Sequence, residues 1–263
     1  MNKTIALIGC GNLGLSIVEG LLDAPGISPQ IIATRRNLKA IAHLADRGVT
    51  VTSDNKLAAR QADLIILAVK PYNVDKVLAE IAEAIDHEHD ILVSAATGVT
   101  IEAMRKLTGP TLSIFRAMPN TATHVNESIT CLCHDNANEE EVALVTQLFD
   151  SIGSTLMIDE HLMEAATILG ACGIAYALRF IRAMIQGGIQ IGFSAESATR
   201  IASQTVKGAA ELLVQRNEHP EQEIDKVTTP KGCTIVGLNE MEHAGFSSSL
   251  IKGIVASYNK IAD

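Results

Sequence analysis

Tryptophan is absent from this 263-residue chain, and aromatic residues make up only 3% of it. A protein that stacks bases needs aromatic platforms, and one that tracks a phosphate backbone needs a cationic surface. With a formal net charge of −9 the chain offers neither, so nucleic acid is excluded as the expected partner. Long apolar runs are missing too. The densest, Leu64 to Val69, is strand-sized, short of the ~20 residues of a membrane span, and no membrane partner is expected. Gly9, Gly11 and Asn12 interrupt the apolar start, which reads as mature structure and not as a signal peptide. Paired cysteines are lacking as well: the five present are an odd, dispersed set, which suits a reducing, cytoplasmic setting. CLCH from Cys131 to His134 has no second pair, and alternation along a strand explains its spacing. The eight histidines form no cluster at ligand spacing, so no metal is expected.

What is present is a globular composition, 47% hydrophobic and 19% charged. Up to about residue 159, short apolar runs alternate with helix-period segments. Ile5 to Ile8, Ile31 to Thr34, Val49 to Thr52, Leu64 to Val69, Ile91 to Ala95 and Leu112 to Ala117 predict strands, with a further pair near Ser128 to Cys133 and Thr155 to Ile158. Helices are predicted over Asn37 to Arg47, Asn73 to Ile85 and Asn138 to Phe149. Such alternation implies a doubly wound parallel sheet with both faces covered. From Glu160 the pattern is helical throughout: Glu160 to about Gly187, Ser194 to Gln215, a piece near Pro220, Thr234 to Ala244 and Ser247 to Ile261. Two domains follow, an α/β Rossmann-like domain over 1–159 and an all-helical one over 160–263.

The first strand runs into Gly9, Gly11 and Gly14. In a strand-to-helix turn the first such glycine permits the bend, the second lets backbone approach a diphosphate, and the third lets helix pack on strand. The alternative is a purely structural turn. At the end of the second strand an NAD-binding chain places an acid on the ribose hydroxyl. Thr34, Arg35 and Arg36 stand there instead, donors suited to the 2′-phosphate of NADP, unless the arginines are merely solvated. AVKP (Ala68 to Pro71) and SAATG (Ser94 to Gly98) open on the same carboxyl edge of the sheet, where small residues would let a nicotinamide lie close. A nucleotide site followed by a helical domain suggests a reductase whose substrate lies between domains or subunits. In the helical half, Thr228, Thr229 and Pro230 precede a periodic helix with Gly232 to Thr234 at its first turn. Free N–H groups there suit a carboxylate, although Thr229 or Thr234 could equally be a simple cap.

Taken in order, IGCGNLG, Thr34 with Arg35, AVKP, SAATGVTI, RAMPNT (Arg116 to Thr121) and VTTPKGCTIVGLNEMEHAGF (Val227 to Phe246) resemble the motifs of the pyrroline-5-carboxylate reductase family over nearly the whole chain. The resemblance implies reduction of a cyclic imine acid, 1-pyrroline-5-carboxylate, to L-proline by hydride transfer from NADPH, with NADH as alternative donor. It also implies a homodimer interlocked through the helical domain, in some cases assembled further. Gly9, Gly11, Asn12, Leu13 and Gly14 would cradle the diphosphate, Thr34, Arg35 and Arg36 the 2′-phosphate, and Asn55 the adenosine side. Ala68, Val69, Lys70, Pro71, Ala95, Ala96, Gly98, Met118, Pro119 and Asn120 would complete the cofactor site. Thr229, Lys231, Gly232, Cys233 and Thr234 would hold substrate, with the Thr234 hydroxyl near the imine nitrogen as the catalytic group.

The chain departs from the family pattern at three places. LGACGIAY (Leu169 to Tyr176) replaces a serine-rich SGSGPAY, Lys231 and Gly232 replace a double glycine, and Ala122 replaces a proline. Lys231 thereby sets an ammonium beside the acid site. The small residues Gly170, Ala171, Cys172, Gly173 and Ala175 lie in a predicted helix, where each glycine costs ~1 kcal/mol relative to alanine. Close approach of a partner helix or cofactor would offset that, as would tight packing within one subunit. Cys172 and Cys233 read as packing thiols, since hydride transfer needs no thiolate. Two rival functions stay open: a reductase of another small imine or oxo acid, and a non-catalytic NADP sensor.

Overall fold

The computed structural model of the protein describes residues 3–262. They divide into two compact units, one running to Ile174 and including Ile261, the other from Ala175 to Lys260. The first holds one eight-stranded sheet: β1 (Thr4–Ile8), β2 (Gln30–Thr34), β3 (Thr50–Thr52), β4 (Leu64–Leu67), β5 (Ile91–Ser94), β6 (Ser113–Met118), β7 (Ser128–Asp135) and β8 (Gly153–Met157). In space the order is β3-β2-β1-β4-β5-β6-β7-β8. Strands β1 to β6 run parallel, β7 is antiparallel to β6, and β8 is parallel to β7. The order reverses between β1 and β4, and a crevice opens at that point on the carboxyl edge.

Period-two alternation divides the core. Ile5 and Leu7 of β1 belong to the cluster on one face, and Ala6 and Ile8 to that on the other. The first face is covered by α1 (Asn12–Asp23) through Ile17, Val18 and Leu21. The second is covered by α2 (Asn55–Arg60), α3 (Val74–Ile81) and α4 (Ile101–Thr108) through Ala58, Val77, Leu78 and Met104. Helix α5 (Glu139–Asp150) returns to the first face. A capping box opens it, in which Asn138 and Glu141 each accept from the other's backbone N–H.

Asn37 to Arg47 differs from expectation. It forms two 3₁₀ pieces, Leu38–Ala40 and Ala42–Arg47, and Asn37 makes no side-chain cap bond. Ile41 and Leu44, both fully buried, are three apart, a spacing that one face of a three-residue turn serves better than an α-helix. Gly48 closes the segment at φ 85°.

The stretch from Glu160 is not one uniform helix. A 3₁₀ turn at Glu160–Leu162 and α6 (Met163–Ala166) lead into a wide π-helical segment, Thr167–Cys172, before α7 (Gly173–Gln190). Met163, Thr167 and Ile168 are buried in the first unit, so that unit continues past the expected boundary at 159 to Ile174.

The second unit contains α7, α8 (Ala195–Arg216), α9 (Pro220–Lys226), α10 (Cys233–His243) and α11 (Phe246–Ala262). A Cβ on Gly188 would lie 3.1 Å from that of Ala198, which allows α7 and α8 to approach closely. Rings of Phe180 and Phe246 lie 5.9 Å apart, and Tyr176 donates to Ser257 at 2.8 Å, joining α7 to α11. Gly245 ends α10 at φ 81°, its N–H donating to the Glu242 carbonyl at 2.8 Å. Neither α7 nor α10 has a buried residue, and Leu178, Val214, Val236 and Ile251 are exposed.

Among the described residues one helical stretch, Glu160–Gln190, is by length and composition long and apolar enough to cross a membrane, with an 18-residue window of mean hydropathy 1.6. No unbroken apolar run of that length occurs in it, as the sequence reading had it. Apolar residues spread at helical spacing, with isolated polar ones between them, escape a search for unbroken runs.

Candidate active site

The glycine turn is built as its spacing implies. Gly9 sits at φ 93°, and a Cβ there would meet Val69 Cγ1 at 2.4 Å and the Ala68 carbonyl oxygen at 2.9 Å. Gly14 is equally constrained, with Leu7 Cδ2 at 2.7 Å and Gly9 O at 2.8 Å from its would-be Cβ. Gly11 is different: its nearest such neighbour is 3.9 Å away. Two glycines are therefore required by the chain's own packing, while the middle one has room for a Cβ at ordinary contact distance. The first α1 bond runs from Leu15 N–H to Gly11 O, which leaves Asn12, Leu13 and Gly14 N–H without helical acceptors. No acid occupies the first turn and Gly11 gives no side-chain cap. The macrodipole and these free donors suit an anion, and the residues fit the diphosphate of a dinucleotide.

Loops from neighbouring strands close on this turn. Ala68 N–H donates to Ile8 O at 2.8 Å and Ala95 N–H to Leu67 O at 2.9 Å, carrying the ladder to the very ends of β1, β4 and β5. Ala68 and Val69 are half-buried, Lys70 and Pro71 are exposed, Ala95 and Ala96 are buried, and Gly98 turns out at φ 72°.

Arg35 Nη1 donates to the Cys10 carbonyl at 3.0 Å, holding its guanidinium over the glycine turn, and Arg36 is exposed. Burial pushes the Cys10 thiol up to about 11, with Arg35 opposing, so this cysteine stays neutral. Thr34 needs correction as a phosphate donor. It is 1% exposed, its hydroxyl donates to Asn55 Oδ1 at 2.7 Å and accepts from Gly9 N–H at 3.3 Å. Asn55 Nδ2 in turn donates to Glu80 Oε2 at 3.2 Å. Thr34 therefore braces the turn and orients Asn55, and its one proton is already placed.

The RAMPNT residues are also taken up by the chain itself. Met118 and Pro119 are buried. Asn120 Nδ2 donates to Gly170 O at 3.3 Å, and its Oδ1 accepts from Ala122 N–H at 2.9 Å. Arg116 is 1% exposed and forks between Glu160 Oε1 at 3.1 Å and Glu164 Oε1 at 3.0 Å. Glu160 additionally accepts from Ile101 N–H at 2.8 Å, at the positive start of α4. Sequence reading did not find Glu160 and Glu164. The signal was available in outline, because an arginine inside an otherwise apolar strand demands acids, but nothing local names them. The π-helical segment, where a Cβ on Gly170 would lie at an ordinary 3.5 Å from Ile129 Cγ2, was likewise not foreseen; such bulges recur at functional sites.

In the second unit, Thr229 to Gly232 forms a tight turn. Gly232 N–H donates to Thr229 O at 2.9 Å, Pro230 fills the second corner, and Lys231 has φ 59°. This is the form of a type II turn, whose third corner favours glycine. Holding a lysine there costs on the order of 1 kcal/mol. A Cβ on Gly232 would lie 2.5 Å from Thr229 Oγ1 and 3.0 Å from the Thr229 carbonyl oxygen, so a side chain there would have to displace Thr229. Gly232 caps α10 without a side-chain bond, and no acid lies in the first turn. Cys233 and Thr234 are exposed, so the packing reading of the Cys233 thiol does not hold within the chain. Cys172 is half-buried.

A surface concavity of about 660 Å³, lined by residues including His134, Val142 and Gln147, holds none of the expected site residues. Among the described residues no group of three or more acidic, histidine or cysteine side chains converges as metal ligands.

Two family models match the chain. One, pyrroline-5-carboxylate reductase dimerisation, covers residues 160–263, and the other, NADP oxidoreductase coenzyme F420-dependent, covers residues 4–98. The chain is 45% identical to pyrroline-5-carboxylate reductase 1 of Dictyostelium discoideum over 98% of its own length, and spans 49% of that protein. It is 42% identical to pyrroline-5-carboxylate reductase 2 of the same organism, over 98% of this chain and 92% of that one. A crystal structure of Plasmodium falciparum pyrroline carboxylate reductase with NADP bound is similar at a TM-score of 0.89 and 28% identity, covering 99% of this chain and 97% of that one.

Proposed function

Since the chain belongs to the pyrroline-5-carboxylate reductase family, we propose that it reduces 1-pyrroline-5-carboxylate to L-proline with NADPH, NADH being the alternative donor. The observation that carries this reading is the open face of Gly11, set among free N–H groups and beside Arg35. Gly9, Gly11, Asn12, Leu13 and Gly14 hold the diphosphate, and Arg35 and Arg36 hold the 2′-phosphate. Asn55, oriented by Thr34, serves the adenosine side. Ala68, Val69, Lys70, Pro71, Ala95, Ala96 and Gly98 bound the nicotinamide half.

NADPH, when bound, would supply a hydride to the carbon of a protonated cyclic imine. The product would be a secondary amine, so no side chain of this chain has to remove a proton. The chain's task is alignment, which can be worth ~7 kcal/mol or more. Thr229, Lys231, Gly232, Cys233 and Thr234 hold the acid, and the Thr234 hydroxyl orients its nitrogen.

Residues 160–263 serve dimerisation and substrate binding, and 1–159 serve the nucleotide. The exposed apolar residues of α7 and α10 support a homodimer through that half. The same need for a partner surface accounts for the apolar Glu160–Gln190 stretch without a membrane. Five free cysteines suit the cytoplasm. The test is NADPH oxidation with 1-pyrroline-5-carboxylate beside its six-membered analogue. Turnover of the six-membered ring alone would move the substrate, and turnover of neither would make the chain a nucleotide sensor.

A further inference from the structure

Glu160 Oε1 accepts two hydrogen bonds from different parts of the first unit, from Ile101 N–H at 2.8 Å and from Arg116 Nη1 at 3.1 Å. One oxygen therefore ties the backbone at the start of α4 to a guanidinium that is 1% exposed. A carboxylate suits both partners, because each presents positive charge to it. The second arm of Arg116 goes to Glu164 Oε1 at 3.0 Å, and its Nε has no partner, so the two acids supply its side-chain pairing among the described residues.

The two ends of this tie belong to two loops at the carboxyl edge of the sheet. Ile101 follows directly on 95–100, the loop that carries Ala95, Ala96 and Gly98 from β5 to α4. At its strand end that loop is held by Ala95 N–H on Leu67 O at 2.9 Å and Ala96 N–H on Ser94 Oγ at 3.3 Å. At its helix end Thr100 caps Ala103 N–H at 3.1 Å, and Glu160 holds the neighbouring Ile101 N–H. Arg116 pairs in register with Ser94, and Met118, Pro119 and Asn120 come just after it. Glu160 thus sets the spacing between the loop after β5 and the loop after β6. Glu164, on the same guanidinium, reaches Arg116 and makes no bond to α4.

We propose that Glu160 is a positioning residue for hydride transfer: through Ile101 and Arg116 it holds the two loops at the separation that places the nicotinamide ring against the substrate. The proposal rests on the reductase reading above. A misplacement of ~1 Å transmitted from outside the chemistry can cost up to ~100-fold in rate. Affinity for the nucleotide is spared, because the phosphate contacts assigned to the glycine turn and the arginines lie at the other end of the cofactor. Loss of Glu160 therefore acts on the transfer step far more than on NADPH binding.

Four variants of the full chain test this. Glu160→Ala removes the oxygen, Glu160→Asp keeps the charge but is one methylene too short to bridge both partners, and Glu160→Gln leaves an amide oxygen in the same place. Glu164→Gln weakens the pairing of Arg116 without touching α4. Single-turnover hydride transfer from NADPH to 1-pyrroline-5-carboxylate should slow about tenfold or more in the Ala and Asp variants, with the Kd for NADPH nearly unmoved, and the Gln variant should recover most of the rate. Glu164→Gln should lower the melting temperature and leave the transfer rate unchanged. In the ligand-free chain, amide exchange at Ile101 should quicken in Glu160→Ala and Glu160→Asp and not in Glu164→Gln. Should the Ala variant fail to fold, the Asp variant carries the same expectations. An unchanged transfer rate in the folded Glu160 variants, or equal slowing in Glu164→Gln, overturns the positioning role while the wild type stays active. A wild type that leaves NADPH unoxidised with this acid overturns the reductase reading, and the positioning role with it.

Discussion

Asn120 Nδ2 donates to the Gly170 carbonyl oxygen at 3.3 Å, so one side chain joins the loop after β6 to the wide turn ahead of α7. Its Oδ1 holds Ala122 N–H at 2.9 Å as well. Asn120→Ala removes both bonds at once. With unsatisfied groups costing ~1–3 kcal/mol each, the urea-unfolding free energy should drop by about 2 kcal/mol. Asn120→Asp, which keeps only the acceptor, should fall between. Amide exchange should speed up across 167–172 in both.

The three glycines of the turn should separate by experiment. Gly9→Ala and Gly14→Ala force a Cβ within 2.4 and 2.7 Å of neighbouring side chains, and both should lower the melting temperature of the ligand-free chain. Gly11→Ala meets nothing closer than 3.9 Å, so its stability should stay within ~1 kcal/mol. NADPH fluorescence titration should nevertheless show at least about a tenfold weaker Kd, the loss of a close backbone approach.

Arg35 and Arg36 should govern the choice of nucleotide. The double change Arg35→Ala and Arg36→Ala removes two donors from the 2′-phosphate, and hydrogen bonds to charged groups are worth ~1.5–3 kcal/mol. KM for NADPH should rise about tenfold or more, with KM for NADH nearly unmoved. Equal losses for both nucleotides would mean that the guanidiniums serve only the turn.

Burial pushes the thiols of Cys10 and Cys133 up from 9.0 to about 11. Between those values the folded chain keeps protons that the unfolded chain has lost, so stability is intact below about pH 9 and declines as pH rises toward 11. Denaturation midpoints across that range should fall less steeply in the double variant Cys10→Ala, Cys133→Ala. Iodoacetamide at pH 8 should label exposed Cys233 well before Cys10.

Leu178 and Val236 are exposed on helices that have no buried residue. Sedimentation at micromolar concentration should therefore report a dimer or larger, with a melting temperature that rises with protein concentration. Leu178→Glu should shift the chain toward monomer.

Patterns confined to a few neighbouring residues were readable in the sequence. The unbroken apolar run of β4 and the three glycines each reflect physics local to one turn or strand. What escaped depends on partners distant in the chain. Thr34 looked like a phosphate donor until its hydroxyl was seen to face Asn55. Arg116 looked like one letter of a motif until Glu160 and Glu164 came beneath it. The Asn37 to Arg47 helix gave way to 3₁₀ turns because Ile41 and Leu44 pack at a three-residue interval. Helical propensity along 160–187 gave no warning of the widening at Thr167–Cys172, where tertiary contacts with Asn120 take part.

Glu80 lies on α3, well away in sequence from any phosphate-facing loop, yet through Asn55 and Thr34 it is three hydrogen bonds from the Gly9 amide. A mutational scan scored only for nucleotide affinity should flag this glutamate, although no inventory of ligand neighbours would include it. Anyone redesigning the nucleotide preference of this chain will have to carry α3 along with the loop.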